Sequence, residues 1–134
     1  IGTGIAYANL DAMGTVPFVF PVPASGLLVS ATYWDLDYEG LQVDLWLLTA
    51  PPLTVQTDNG AFTLTDPDLQ RVLDVVQFTG FRDAASGYVS TQNSLNIPYR
   101  VADRRLFALL QARGVLNIAA AALPVFRLAI VPDE

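Results

Sequence analysis

The chain has 134 residues, 52% of them hydrophobic and 15% charged, with a net charge of −6 and a mean hydropathy of +0.39. This is the length of one domain, residues 1–134, and too apolar a composition for intrinsic disorder. Cysteine, histidine and lysine are all absent, which excludes disulfides, thiolate nucleophiles, Ser-His-Asp triads, Schiff-base chemistry and a phosphate-loop lysine.

The acidic balance argues against nucleic acid, and no apolar run reaches the ~20 residues that would span a membrane as a helix. The opening segment "IGTGIAYANLDAMG" lacks the basic and apolar regions of a signal peptide, and a bulky Ile1 leads us to expect residues upstream. Charge is uneven along the chain. Residues 1–70 hold eight acids (Asp11, Asp35, Asp37, Glu39, Asp44, Asp58, Asp66, Asp68) and no basic residue, whereas residues 71–134 hold seven arginines and five acids. Either the halves present complementary faces to a partner, or they interleave in one sandwich and the charges mix.

In chain order, "VPFVFPV" (16–22) is extended, and Pro17 and Pro21 confine it to a sheet edge. "PASG" (23–26) turns the chain into "LLVSATYWDL" (27–36), rich in the β-branched and aromatic residues of strands. "DYEG" (37–40) is expected to be a tight hairpin connection. "LQVDLWLLT" (41–49) alternates cleanly, with Leu41, Val43, Leu45 and Leu47 on one face and Gln42, Asp44 and Trp46 on the other. Asp58-Asn59-Gly60 reads as a turn. In "TDPDLQRVLDVV", Leu69, Val72, Leu73 and Val76 follow helical spacing, which predicts one short α-helix over about 67–76, with Asp66 as N-cap and Pro67 at its first position. Further strands are expected at 61–64, 77–81, 87–91, 106–113 and 124–131. In the last, Phe126, Leu128 and Ile130 would face the core and Val125, Arg127 and Ala129 the solvent. The fold class is therefore all-β, an antiparallel β-sandwich with that one helix.

Candidate chemistry is sparse. Asp35, Asp37 and Glu39 could pair as hydrolytic carboxylates or hold a calcium ion, but a solvated turn tip would not separate their pKa values. An EF-hand beginning at Asp58 would need glutamate at its twelfth position, which is Leu69. Arg104 and Arg105 in "ADRRLF" are read as lying on opposite faces of a strand start, where either guanidinium could fork a carboxylate of another strand or subunit. Tyr33, Trp34, Tyr38 and Trp46 lie around the hairpin expected of 27–36 and 41–49, as core or interface packing or as platforms for sugars. No metal or organic cofactor is implied.

Four pieces of the sequence carry a resemblance: Leu45–Leu48, Asp58–Leu69 ("DNGAFTLTDPDL"), Ile97–Tyr99 and Leu106–Gly114 ("LFALLQARG"). Their order resembles a family of small tailed-bacteriophage virion proteins with an "LWLF"-like strand, a "DNAAF" segment, "LPY", and a closing "LYA" strand ending in "RG". Gly60 and Val115 depart from that pattern, where alanine and proline are usual. The resemblance implies a jelly-roll-like capsid decoration (cement) protein on the outer capsid surface of the virion. Such a protein forms a homotrimer, bridges major capsid proteins and has no catalytic residues. The contacts expected of that role fall on Arg104, Arg105 and Arg113, with Asp35, Asp37, Glu39 and Trp46. The alternative role is a tail, baseplate or fibre component that binds carbohydrate through aromatics such as Trp46. A carboxylate-based hydrolase would need two acids in one cleft.

Overall fold

Apolar side chains alternating along short segments build two antiparallel sheets that face one another across a shared core. The computed structural model describes residues 6–37, 39–117 and 123–133. One sheet has the order β11 (Val125–Pro132), β3 (Ser25–Asp35), β7 (Tyr88–Gln92) and β6 (Arg82–Asp83). Strand β8 (Ile97–Arg100) continues the side of β3 that β7 begins. The other sheet has the order β2 (Phe18–Pro21), β9 (Arg105–Ala112), β4 (Val43–Leu48) and β5 (Val72–Phe78). A short pair, β1 (Ala6–Tyr7) with β10 (Leu116–Asn117), and a single-turn helix α1 (Asp66–Leu69) complete the described elements. The antiparallel β-sandwich expected from the strand pattern is the architecture found.

The core is where the alternation predicts it. Leu28, Ala31 and Tyr33 of β3 meet Val43, Leu45 and Leu47 of β4, Val76 and Phe78 of β5, and Ala108 and Leu110 of β9. Tyr33 stacks on Phe126 at 5.0 Å and meets Phe78 edge-on at 5.7 Å, while Phe18 reaches Phe126 at 5.4 Å. Each such side chain contributes about 1.5–3 kcal/mol by leaving water. Phe126, Leu128 and Ile130 pack inward as expected, and Val125 and Arg127 point out. Strand β2 is an edge strand, as its flanking prolines require.

The β9 sheet is buried on its second face too. Leu48, Phe107 and Leu109 form a separate apolar cluster there, closed by Phe62 and Leu64 from the long segment between β4 and α1. That segment is fastened by side chains rather than by strand pairing. Asp68 is fully buried and its two carboxylate oxygens accept the amides of Leu53 and Thr54, each at 2.8 Å. Gln56 accepts the amide of Thr63 at 3.1 Å and donates its own amide to the Thr63 carbonyl. Arg71 donates to the Pro51 carbonyl at 2.8 Å.

Several expectations are corrected. The helix over 67–76 is instead one turn, Asp66–Leu69, followed by strand β5. A β-bulge opposite Leu47/Leu48 makes Leu73 the extra residue, so Leu73 and Val76 both face the core although three apart. That spacing imitates a helix. The cap position is Thr65, without a side-chain capping bond, and Asp66 and Pro67 are the first helical residues. The 37–40 link is not a hairpin connection. It carries the chain from one sheet to the other, because β3 and β4 each have an inward apolar face and need opposite layers. Residues 61–64 form only one bridge, Asp11 to Ala61, and 77–81 spans the end of β5 and its exit. Strand β8 was not anticipated, since Pro98 interrupts its pattern.

Two stability predictions follow from buried polar groups. Burial pushes the Asp68 carboxyl up, but bonds from the Thr54 hydroxyl, the Leu53 and Thr54 amides and the Thr65 side chain outweigh it and hold it below the ordinary value. Its contribution is therefore complete above the unfolded aspartate value of about 3.9 and is lost as pH falls through the lower folded value. Asp68→Asn should cost about 1–3 kcal/mol in chemical denaturation at pH 7, and the gap to wild type should shrink at pH 2. The second group is the Tyr99 hydroxyl, buried and without a hydrogen-bond partner among the described residues. Tyr99→Phe should leave thermal stability unchanged or raise it by up to about 1 kcal/mol, because an unsatisfied buried hydroxyl is a cost.

Candidate interaction surface

The acids of the first turn do not form a cleft. Asp35 is 2% exposed, and its carboxylate accepts the amide of Asp37 at 3.1 Å and that of Gly40 at 2.7 Å. It therefore folds the turn that Gly40 closes at φ +63°. Asp37 and Glu39 are half-buried on that turn, and Tyr38 lies outside the described residues. Burial first, and then the charges of Asp35, Asp37 and Glu39, push the Tyr33 phenol far above its ordinary value. Asp58 is similarly structural. One oxygen accepts both the Tyr7 hydroxyl and the Gly14 amide at 2.7 Å, and the expected turn closes through the Gly60 amide to the Thr57 carbonyl at 2.9 Å. Among the described residues no three acids converge as a metal site requires.

The three singled-out arginines occupy three different environments. Arg113 donates to buried Asp44 at 2.8 Å, and Gln42 donates to the other Asp44 oxygen at 3.0 Å. Arg105 makes an exposed pair with Asp103 at 3.3 Å and lies over the Phe107 ring at 5.3 Å. Arg104 is not on the strand, as had been expected. It ends a tight turn from Val101 with φ +59°, and its carbonyl accepts the Val22 amide at 3.0 Å. Trp46 donates its indole N–H to Gln111 at 3.0 Å and packs on Phe62 at 5.1 Å, so the covering segment takes the ring face. The two halves of the sequence interleave. β3 pairs with β7, β8 and β11, and β4 pairs with β5 and β9.

What remains outward is an apolar margin at the open side of the sandwich, along the edge strands β2 and β11. Val16 is 81% exposed, and Val19, Leu123 and Val125 are about half exposed. Val16, Phe18, Leu123 and Pro124 line a shallow hollow of about 220 Å³. Nothing in the sequence marked this hollow, because an isolated exposed aliphatic residue is ordinary and only the convergence of Val16, Phe18, Leu123 and Pro124 is informative. No protein-family model, curated protein or solved structure matches the chain.

The arginine environments predict different costs. Arg113→Ala leaves buried Asp44 without its cation and should lose about 2 kcal/mol of stability. Arg105→Ala removes an exposed pair and should lose under about 1 kcal/mol. Urea denaturation of both variants checks the order, and a larger loss for Arg105→Ala would contradict it.

Proposed function

We propose that this chain is a structural virion protein, a capsid decoration protein that sits on the outer shell as a homotrimer and bridges major capsid proteins. The apolar margin of β2 and β11 carries this reading. Two rigid edge strands present valines to solvent, and prolines at 17, 21, 124 and 132 remove amides near their ends. Such edges resist open-ended strand addition while leaving side chains available for a closed interface. Buried polar groups hold turns and the covering segment together, as a clamp between neighbouring subunits requires. The resemblance in Leu45–Leu48, Asp58–Leu69, Ile97–Tyr99 and Leu106–Gly114 points to the same class of role. In this reading Arg104, Arg105, Asp37 and Glu39 serve as polar rim contacts, which set register more than affinity. The protein has no catalytic task.

The alternative placement in a tail, baseplate or fibre invoked Trp46 as a sugar platform, and that ring is engaged by Gln111 and Phe62. Quantitative peptide mass spectrometry of purified virions separates the placements. A copy number equal to the major capsid protein, or a simple lattice fraction of it, is expected. A handful of copies per particle would place it in the tail or at a vertex, and absence would overturn both. In solution, Val16→Glu with Leu123→Glu should convert the trimer to monomer by light scattering while shifting stability by only about 0.5 kcal/mol per site.

A further inference from the structure

The outward face of the β3 sheet carries cations on an otherwise acidic protein. Register places Val125, Trp34, Val89 and Arg82 in one row across four strands, with Arg127, Thr32 and Thr91 in the next. Neither row contains a carboxylate. Arg127 lies over the Trp34 ring at 5.4 Å, and no ion pair engages Arg82 among the described residues.

Two hollows of about 310 Å³ each meet at Val89. The first is polar, lined by Arg82, Thr79, Thr91, Gln92 and Asn93. Within it the Thr79 carbonyl accepts from Ser90 at 2.6 Å and from the Gln92 amide at 3.0 Å, which fixes the Gln92 side chain. The second is apolar, lined by Trp34, Leu36 and Tyr88, with Ser86 and Gly87 beside them. Each is at the small end of ligand sites, large enough for about one sugar ring.

We propose that this face binds an acidic oligosaccharide, its carboxylate in the Arg82 hollow and the adjoining ring against Trp34. A guanidinium forks a carboxylate with two parallel hydrogen bonds, and the amides and hydroxyls around it match sugar hydroxyls. The apolar face of a pyranose suits an aromatic wall. A peptide fits less well, because peptides gain affinity from free strand edges. Here the backbone of β3 is already paired on both sides, β6 offers only two residues, and the part of β7 that β6 leaves open is the short stretch Ser90–Gln92. The site lies toward β6, away from the margin on β2 and β11, so a trimer could display it outward.

The test is binding of the labelled full chain to an array of hexuronate-bearing, sialylated and neutral glycans, followed by calorimetry with the best acidic ligand. Selective binding of acidic glycans is expected, weakened at least tenfold by Arg82→Gln and by Trp34→Ala, less by Arg82→Lys, and unchanged by Trp46→Phe. Thermal unfolding of each variant confirms that it is folded, and Arg82→Gln keeps the test informative should Trp34→Ala not fold. Failure to bind any acidic glycan, or binding that survives Arg82→Gln, would overturn the proposal. So would equal binding of a hexaglutamate peptide, or a change of oligomeric state in Arg82→Gln without loss of glycan binding.

Discussion

Strand β9 carries large apolar side chains on both of its faces, and two separate layers have to keep them from water. Ala108 and Leu110 look inward to the β3 sheet, while Phe107 and Leu109 look outward. The inner layer is ordinary sandwich packing. The outer layer is an irregular segment whose backbone amides lack ladder partners, so it needs other acceptors to lie flat on an apolar surface. Asp68 and Gln56 supply them, and Phe62 and Leu64 are thereby held over the sheet. A single-turn helix is sufficient for that purpose, since its task is to place one carboxylate.

The same solution recurs wherever the first half of the chain bends. With no cation before residue 71, its inward carboxylates find amides and hydroxyls instead. Asp35 takes the Asp37 and Gly40 amides, Asp58 the Gly14 amide and the Tyr7 hydroxyl, and Asp11 the Ala8 amide. Asp44 is instead met by an arginine, Arg113, which reaches it from the other half. An acidic surplus in the sequence thus becomes a set of turn fasteners. Arg82 and Arg127 stand exposed on one sheet face in rows without a carboxylate, which gives those rows a character opposite to the net charge.

Much of this was legible in the sequence where one physical cause acted alone. Alternation in 41–49 and 124–131 fixed which side chains enter the core, and Pro17 and Pro21 fixed β2 as an edge. The turn at Asp58-Asn59-Gly60 followed from residue type. The sequence misled where two causes overlapped. A bulge near Leu73 reproduced helical spacing inside a strand, and a polar link between two strands looked like a hairpin although it changes sheets. The interaction surface was the least legible. Arg113 and Trp46 looked available but have partners contributed from residues 44, 62 and 111, and the margin valines and the Trp34–Arg82 row acquire meaning only through pairing across the fold.

Interleaving also has a consequence for how the protein is made. β3 is flanked by β11 along most of its length, joining residues roughly 90 to 105 positions apart, and β4 is flanked by β9. No contiguous half of the chain contains a complete sheet, so an emerging nascent chain cannot close either sheet from its first half alone. Until the second half emerges, the first 70 residues carry only negative charge. Mutual repulsion keeps such a segment extended and soluble while it waits. The lopsided charge, mixed once the two halves interleave, thus matters most while the first half is still unpaired.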